Sequence, residues 1–274
     1  MCIRDSEWTI RHGVFSAPPQ WAVDSIKGYE GHTWAPDIIY YKGNYHLFYS
    51  CSAFGKNTSA IGHAYRRTLN PDSDEPWTDT GAVIVSHARD NFNAIDPNIV
   101  IDEEGNPWMT FGSFWGGIQL VRLTEDLTST LKPEKLYTIC TRQFEGASDV
   151  PSRSVNSVEA PFIFKHGDYY YLFVSYDFCC RGLKSDYKVV VGRSTRVTGP
   201  YVDKDGRELT RGGGSLVVDS NDEFVAIGHS AAYHFDGKDY FMAHGYSRSE
   251  DGASKLFFRE MTWDEEGWPF VSAE

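Results

Sequence analysis

Four stretches of this 274-residue chain repeat one layout. They are WAPDIIYYKGNYHLFYS from Trp34, IDPNIVIDEEGNPWMTFGSF from Ile95, VEAPFIFKHGDYYYLFVSY from Val158 and GHSAAYHFDGKDYFMAHGY from Gly228. Each has a polar or acidic opening, an apolar strand, a turn centred on Gly and an aromatic-rich return strand. With Pro36, Pro97, Pro161 and Ser230 as equivalent points, the intervals are 61, 64 and 69 residues. A recurrence of this length restricts the fold to an array of like units.

Between the hairpins lie further strand candidates at 59–67, 81–85, 118–124, 187–195, 214–218 and 255–263. They are rich in β-branched and aromatic residues and bounded by Gly, Asn, Asp and Pro. Long helical periodicity is absent. About four strands per repeat is the content of a propeller blade, and a β-sandwich would have to produce four matched hairpins by accident. The fold class is therefore all-β, a propeller.

From Trp34 to Glu274 the chain has room for four blades at the observed spacing. Only 33 residues precede them, about half a blade, with one strand candidate at Trp8–Phe15. An open blade leaves unpaired edges. The expectation is a five-bladed β-propeller with an incomplete first blade. Residues 1–274 then form one domain, with 1–33 the remnant of blade one and 34–274 the four remaining blades. A four-bladed ring with an N-terminal extension is the other arrangement.

In a propeller the innermost strand of every blade lines the central channel, so equivalent positions converge on the axis. Asp37, Asp96, Glu159 and His229 all open their repeats. Singly, each is an ordinary strand-end residue; together they make a polar cluster at one mouth. Neighbouring carboxylates raise each other's pKa, and apolar surroundings raise it further. One of them can then stay protonated near neutral pH and act as a general acid, which glycoside hydrolysis requires alongside a second carboxylate. The net charge of −12 disfavours nucleic acid, and no apolar run is long enough to cross a membrane. A neutral ligand suits this balance, and the aromatic content of 15% suits sugar stacking as well as interblade packing.

The five cysteines form no C-x-x-C pair. Cys179 and Cys180 could form a strained vicinal disulfide or a redox pair; as strand neighbours they would point to opposite faces, so ordinary buried thiols are the preferred reading. The Gly212–Gly214 run lacks the Lys-Ser/Thr ending of a phosphate loop and precedes a strand, so it reads as a tight turn.

The stretches HTWAPDI, SAFGKNTSAIG, FNAIDPNIV, FGSFWGGI, VEAPFI, SYDFCCRG, YKVVVGRS, RGGGSL and GHSAAY together resemble endo-acting α-1,5-L-arabinanases of glycoside hydrolase family 43. The likeness runs from about Trp8 to about Val271, and SAFGKNTSAIG with GSFWGG is its most specific part. It implies a five-bladed propeller that hydrolyses internal α-1,5-arabinofuranosidic bonds of arabinan with inversion. It implies that Glu159 is the general acid, that Asp96 orients it and keeps its pKa high, and that His229 helps to hold a calcium ion in the central channel. Trp34 and Phe114 match aromatic platforms for arabinose rings, with interblade packing as the simpler reading; for Trp115 packing is preferred. Asp37 reads as structural.

The family's general base, an aspartate in a His-Asp-Pro setting on the first inner strand, has no counterpart in this chain. Asp5 and Asp24 precede Trp34, and neither opens an apolar strand. The expectation is severe loss of activity relative to a complete parent protein. Other readings are a silent propeller that binds arabino-oligosaccharide, and an exo-acting arabinofuranosidase or xylosidase of the same family. The partner is arabinan or its oligosaccharides, with no nucleic acid, no membrane and a monomeric chain. Arabinan is too large to enter cells, so the full-length parent is expected to be extracellular or periplasmic, although MCIRDSEW lacks the apolar core of a signal peptide.

Overall fold

The computed structural model describes residues 13–142 and 156–272. They form four four-stranded antiparallel sheets, each ordered from inside to outside as it runs in sequence. The first holds β1 (Thr33–Tyr41), β2 (Asn44–Cys51), β3 (Ser59–Arg66) and β4 (Thr78–Ser86). The second holds β5 (Asn98–Ile101), β6 (Pro107–Phe111), β7 (Ile118–Arg122) and β8 (Leu136–Cys140). The third holds β9 (Val158–His166), β10 (Tyr169–Tyr176), β11 (Lys188–Ser194) and β12 (Ser215–Val218). The fourth holds β13 (Phe224–Phe235), β14 (Lys238–Ser247), β15 (Ser254–Trp263) and β16 (Pro269–Val271).

These are propeller blades. The innermost strands β1, β5, β9 and β13 follow one another around the axis and touch in that order. Four blades are present among the described residues, and a fifth is not among them. Of the strand expected at Trp8–Phe15, residues 8–12 lie outside the described residues, and 13–15 form no strand.

The inner hairpins form because their turns supply left-handed backbone where two residues must reverse the chain. Lys42-Gly43 joins β1 to β2 with φ of 46° and 88°, and Asp236-Gly237 joins β13 to β14 with φ of 50° and 76°. Two successive positive φ values match the right-handed twist of the flanking strands. Between the blades lie three apolar layers. Phe48, Ile61, Met109 and Phe111 fill the first gap, Trp108, Leu120, Leu172 and Val174 the second, and Tyr171, Phe173, Phe241 and Phe257 the third.

The outer face of the first sheet is covered by the segment before β1. Its short helix α1 (Gln20–Ser25) and Phe15 and Tyr29 pack on Tyr49, Cys51 and Ala60. Trp21 pins this cover to β4, since its indole N–H donates to Asp79 Oδ2 at 3.1 Å while Tyr49 OH donates to Asp79 Oδ1 at 2.7 Å. Asp24 lies on α1, where its side chain accepts from Gln20 far from the channel.

A buried histidine pair braces the first blade. His46 Nδ1 lies 2.9 Å from His63 Nε2, His46 Nε2 faces the Tyr41 carbonyl at 3.2 Å, and His63 Nδ1 faces Thr80 Oγ1 at 2.8 Å. The carbonyl can only accept, and with both rings neutral His46 Nε2–H donates to it and His63 Nε2–H donates to His46, while the single Thr80 hydroxyl proton is shared between His63 Nδ1 at 2.8 Å and the His63 carbonyl at 3.1 Å. Burial lowers both imidazoles, taking His63 down to about 4. These two imidazoles therefore bind more protons in the unfolded chain than in the folded one between about pH 6.5 and pH 4. Their contribution to stability is full above that window and falls as pH drops through it, by up to about 3 kcal/mol for His63. The melting temperature of the native protein minus that of His63→Gln, taken across this range, is expected to shrink as pH falls.

Candidate active site

At equivalent points the four inner strands share one distortion. Ala35, Asp96, Ala160 and His229 have φ of 45°, 57°, 53° and 53°, and each directly precedes one of the aligned positions Pro36, Pro97, Pro161 and Ser230. β1, β9 and β13 also slip register there against their neighbours. Left-handed backbone at a non-glycine residue is strained and persists only where surrounding bonds enforce it. Here the enforcing bonds cross between blades. Ser50 Oγ accepts from Asp96 N–H at 3.0 Å, Asp96 Oδ2 accepts from Ala160 N–H at 3.1 Å, and Ser175 Oγ accepts from His229 N–H at 2.8 Å.

These kinks aim the side chains of the channel mouth. A cleft of about 930 Å³ opens there, and Trp34, Ile95, Asp96, Phe114, Glu159 and His229 all line it. Below it a second space of about 350 Å³ holds Asp37, Ser230 and Tyr233, with Asp96 and His229 bordering both. The ring of kinked residues is thus the floor of the cleft and the roof of the channel.

Glu159 keeps part of its surface open to the cleft. Ser113 Oγ donates to its Oε2 at 2.7 Å and Tyr187 OH to its Oε1 at 2.8 Å, so both oxygens are held. Burial first, and the Asp96 charge second, raise its pKa; the two donors and His229 oppose the rise. Asp96 is buried, and burial pushes its carboxyl up to about 7. Two adjacent acids raised in this way keep a proton between them near neutral pH. His229 is lowered by burial, which favours a neutral ring.

Asp37 lies in the channel, where its Oδ2 accepts from Ile99 N–H at 2.8 Å and its Oδ1 from Tyr233 OH at 3.2 Å. It ties the first blade to the second and the fourth, in line with a structural reading. Burial also pushes this carboxyl up to about 7.

The aromatic side chains divide by exposure. Phe114 is buried, its ring 5.7 Å from that of Phe178. Trp34 and Trp115 are half-buried along the cleft. Phe54, from the loop after β2, is 74% exposed and presents the most open aromatic face on the cleft. Sequence reasoning did not single it out, although an exposed-ring candidate inside the Gly- and Asn-containing SAFGKN stretch was the available signal. Tyr187 and Ser113 were also missed.

Cys179 and Cys180 require a correction. They form a vicinal disulfide on the cleft wall. β10 ends at Tyr176, and Asp177 and Cys180 take left-handed backbone with φ of 70° and 66°. The alternation of a strand therefore does not apply, and the two sulfurs meet. The Gly212–Gly214 run is a turn, with φ of 72° at Gly212 and 142° at Gly214.

The donors around His229 do not make up a calcium shell. Calcium takes six to eight oxygen ligands. Among the described residues there is no group of three or more His, Cys, Asp or Glu placed to hold a metal. The channel adds one uncommitted donor, Ser230 Oγ, which is buried without a hydrogen-bond partner.

Residues 6–269 match the model of the glycosyl hydrolases family 43. The chain belongs to that family. It is 47% identical over 266 residues to the extracellular exo-α-(1→5)-L-arabinofuranosidase of Cellvibrio japonicus, covering 96% of this chain and 77% of that protein. It is 40% identical over 263 residues to the extracellular endo-α-(1→5)-L-arabinanase 1 of Bacillus subtilis, covering 96% and 76%. The fold superposes with a TM-score of 0.90 on the α-L-arabinanase of Cellvibrio cellulosa complexed with arabinohexaose, at 48% identity and covering 94% of this chain and 83% of that one. No helix among the described residues is long and apolar enough to cross a membrane.

Proposed function

We propose that this protein is an arabinan-degrading glycosidase that cleaves internal α-1,5 bonds with inversion. The observation that carries the reading is Glu159, set in the cleft floor with both carboxyl oxygens hydrogen-bonded and its proton held by burial and by Asp96. Protonated Glu159 delivers its proton to the oxygen leaving the arabinose ring. Asp96, bonded to the backbone of Ala160 directly after Glu159, fixes the acid's position and holds its pKa up. His229, neutral below them, limits how much opposite charge the acid meets. Trp34 and the exposed Phe54 stack on furanose rings, and Phe114 backs the wall.

Residues 13–32 act as the cover that a further blade would otherwise provide, within one catalytic domain. The chain acts as a monomer, and it is exported to meet its polymer, as the word extracellular in the names of both relatives suggests. A calcium ion in the channel would take most of its ligands from water.

Inversion also needs a carboxylate that activates water on the far face of the sugar. Among the described residues Asp96 and Glu159 are the only carboxylates lining the cleft, and both already have other roles. General-base assistance is worth about 10²–10⁴-fold. Hydrolysis of linear arabinan by this chain is therefore expected to be slower by about that factor than that of a family member with a base. Azide, which attacks the anomeric carbon without deprotonation, is expected to accelerate cleavage and yield β-arabinosyl azides. Equal rates with and without azide, at full speed, would mean that a base is present. An exo-acting reading has support in the 47% identical relative. Early products from debranched arabinan decide between them: a ladder of sizes supports internal cleavage, and a single small product supports release from chain ends.

A further inference from the structure

A disulfide between sequence neighbours closes almost no chain, so it removes little entropy from the unfolded state and is a poor staple for a fold. The Cys179–Cys180 bond also stands on the cleft wall rather than between elements. We propose that this vicinal disulfide is a binding surface for a furanose ring, a sugar subsite built from two sulfurs. The inference rests on the arabinan reading above and adds to it a contact that no catalytic role requires.

The wall around it is built and rigid. Phe178 N–H donates to Asp186 Oδ1 at 2.9 Å, and Asp186 N–H donates back to the Phe178 carbonyl at 3.1 Å. Cys180 N–H donates to Tyr246 OH at 2.7 Å, and Arg181 N–H to Ser185 Oγ at 3.1 Å. Cys179 packs against Tyr187, the residue that holds Glu159, together with Tyr246. The Arg181 guanidinium lies 4.1 Å over the Phe178 ring, and Arg181 lines the same cleft as the two cysteines. Cys180 is exposed, Cys179 is half-buried, and both line the cleft.

The chemistry suits one face of a sugar. Disulfide sulfur is polarizable, donates no hydrogen bond and favours contact with C–H groups, while the neighbouring guanidinium can donate to ring or hydroxyl oxygens. Two free thiols in place of the bond would lose the fixed shape and let residues 179–180 relax toward ordinary backbone. Binding that depends on this wall would then weaken.

The test uses arabinohexaose as probe and the whole chain. Calorimetry on the untreated protein comes first; no binding there defeats the arabinan reading itself. Given binding, the rate of disulfide reduction by a phosphine is followed by alkylation and mass of the peptide carrying Cys179 and Cys180. Contact predicts that saturating arabinohexaose slows reduction at least tenfold, an effect that a purely structural bond would not show. The reduced protein and the double variant Cys179→Ala/Cys180→Ala are each expected to bind arabinohexaose about tenfold more weakly, with little change in melting temperature. Reduction that proceeds at the same rate with and without sugar, or unchanged affinity after reduction, overturns the proposal and leaves the arabinan reading standing. Resistance of the bond to reduction in the free protein overturns it too, because the sulfurs would then not face the cleft. If the double variant does not fold, the protection and reduction measurements decide alone.

Discussion

Glu159→Gln is expected to abolish cleavage of arabinan while leaving arabinohexaose bound. The amide cannot donate a proton to the leaving oxygen, and loss of a general acid costs about 10²–10⁴-fold in rate. One of the Ser113 and Tyr187 hydroxyls can still donate to the amide oxygen and the other can turn to accept from the amide N–H, so the side chain keeps its place. The separation of roles sharpens with the leaving group. An aryl arabinoside whose phenolate leaves without protonation needs the acid far less, so its loss should be much smaller than that on arabinan. Azide-assisted cleavage provides the background rate for both substrates. A comparable loss on both would show that Glu159 does something other than protonate the leaving oxygen, and weak binding by the variant would show that it holds the sugar instead.

How far this site could be read in advance depends on which bonds stay inside the repeat. Pro36, Pro97, Pro161 and Ser230 aligned by sequence, and the same four places carry the left-handed kinks that aim Asp96, Glu159 and His229 at the axis. The regular period made that convergence legible, because an inner strand occupies the same place in every blade. Tyr187 was not legible. It comes 28 residues after Glu159, immediately before β11, and nothing distinguishes it there from any other aromatic at a strand end. Ser113 reaches Glu159 from the neighbouring blade across an isolated bridge, a pairing that no local pattern encodes. Phe114 and Phe54 illustrate a different limit. Both are aromatic residues in Gly-containing loops, yet Phe114 is buried, with its ring near that of Phe178, and Phe54 is exposed, a difference set by packing across the cleft rather than by local sequence. The cysteine pair failed because a strand period was extended past Tyr176, where the chain had already turned.

Gly228→Ala is expected to damage stability and the acid together, although residue 228 touches no substrate. A Cβ at this position would run into the ring of Tyr187. The ring has nowhere to go, since Tyr187 is fully buried against Ala226 and Tyr246. The strand cannot retreat either: Gly228 pairs with His244 on β14, and the adjacent His229 N–H is tied to Ser175 across the blade boundary. Overpacking of this kind costs about 1–3 kcal/mol, which in a chain of this size lowers the melting temperature by roughly 2–4 °C per kcal/mol. The displaced Tyr187 hydroxyl also leaves Glu159 with one donor fewer to its ionised form. The pKa of the acid then rises, and the alkaline limb of the rate profile for azide-assisted cleavage should move to higher pH. Adding Tyr187→Leu to the same chain separates the two effects. The smaller side chain relieves the clash and recovers part of the melting temperature, while the alkaline limb stays displaced because the donor is still missing. Recovery of both would mean that Tyr187 acts on Glu159 only through packing, and recovery of neither would place the strain of Gly228→Ala somewhere other than the Tyr187 ring.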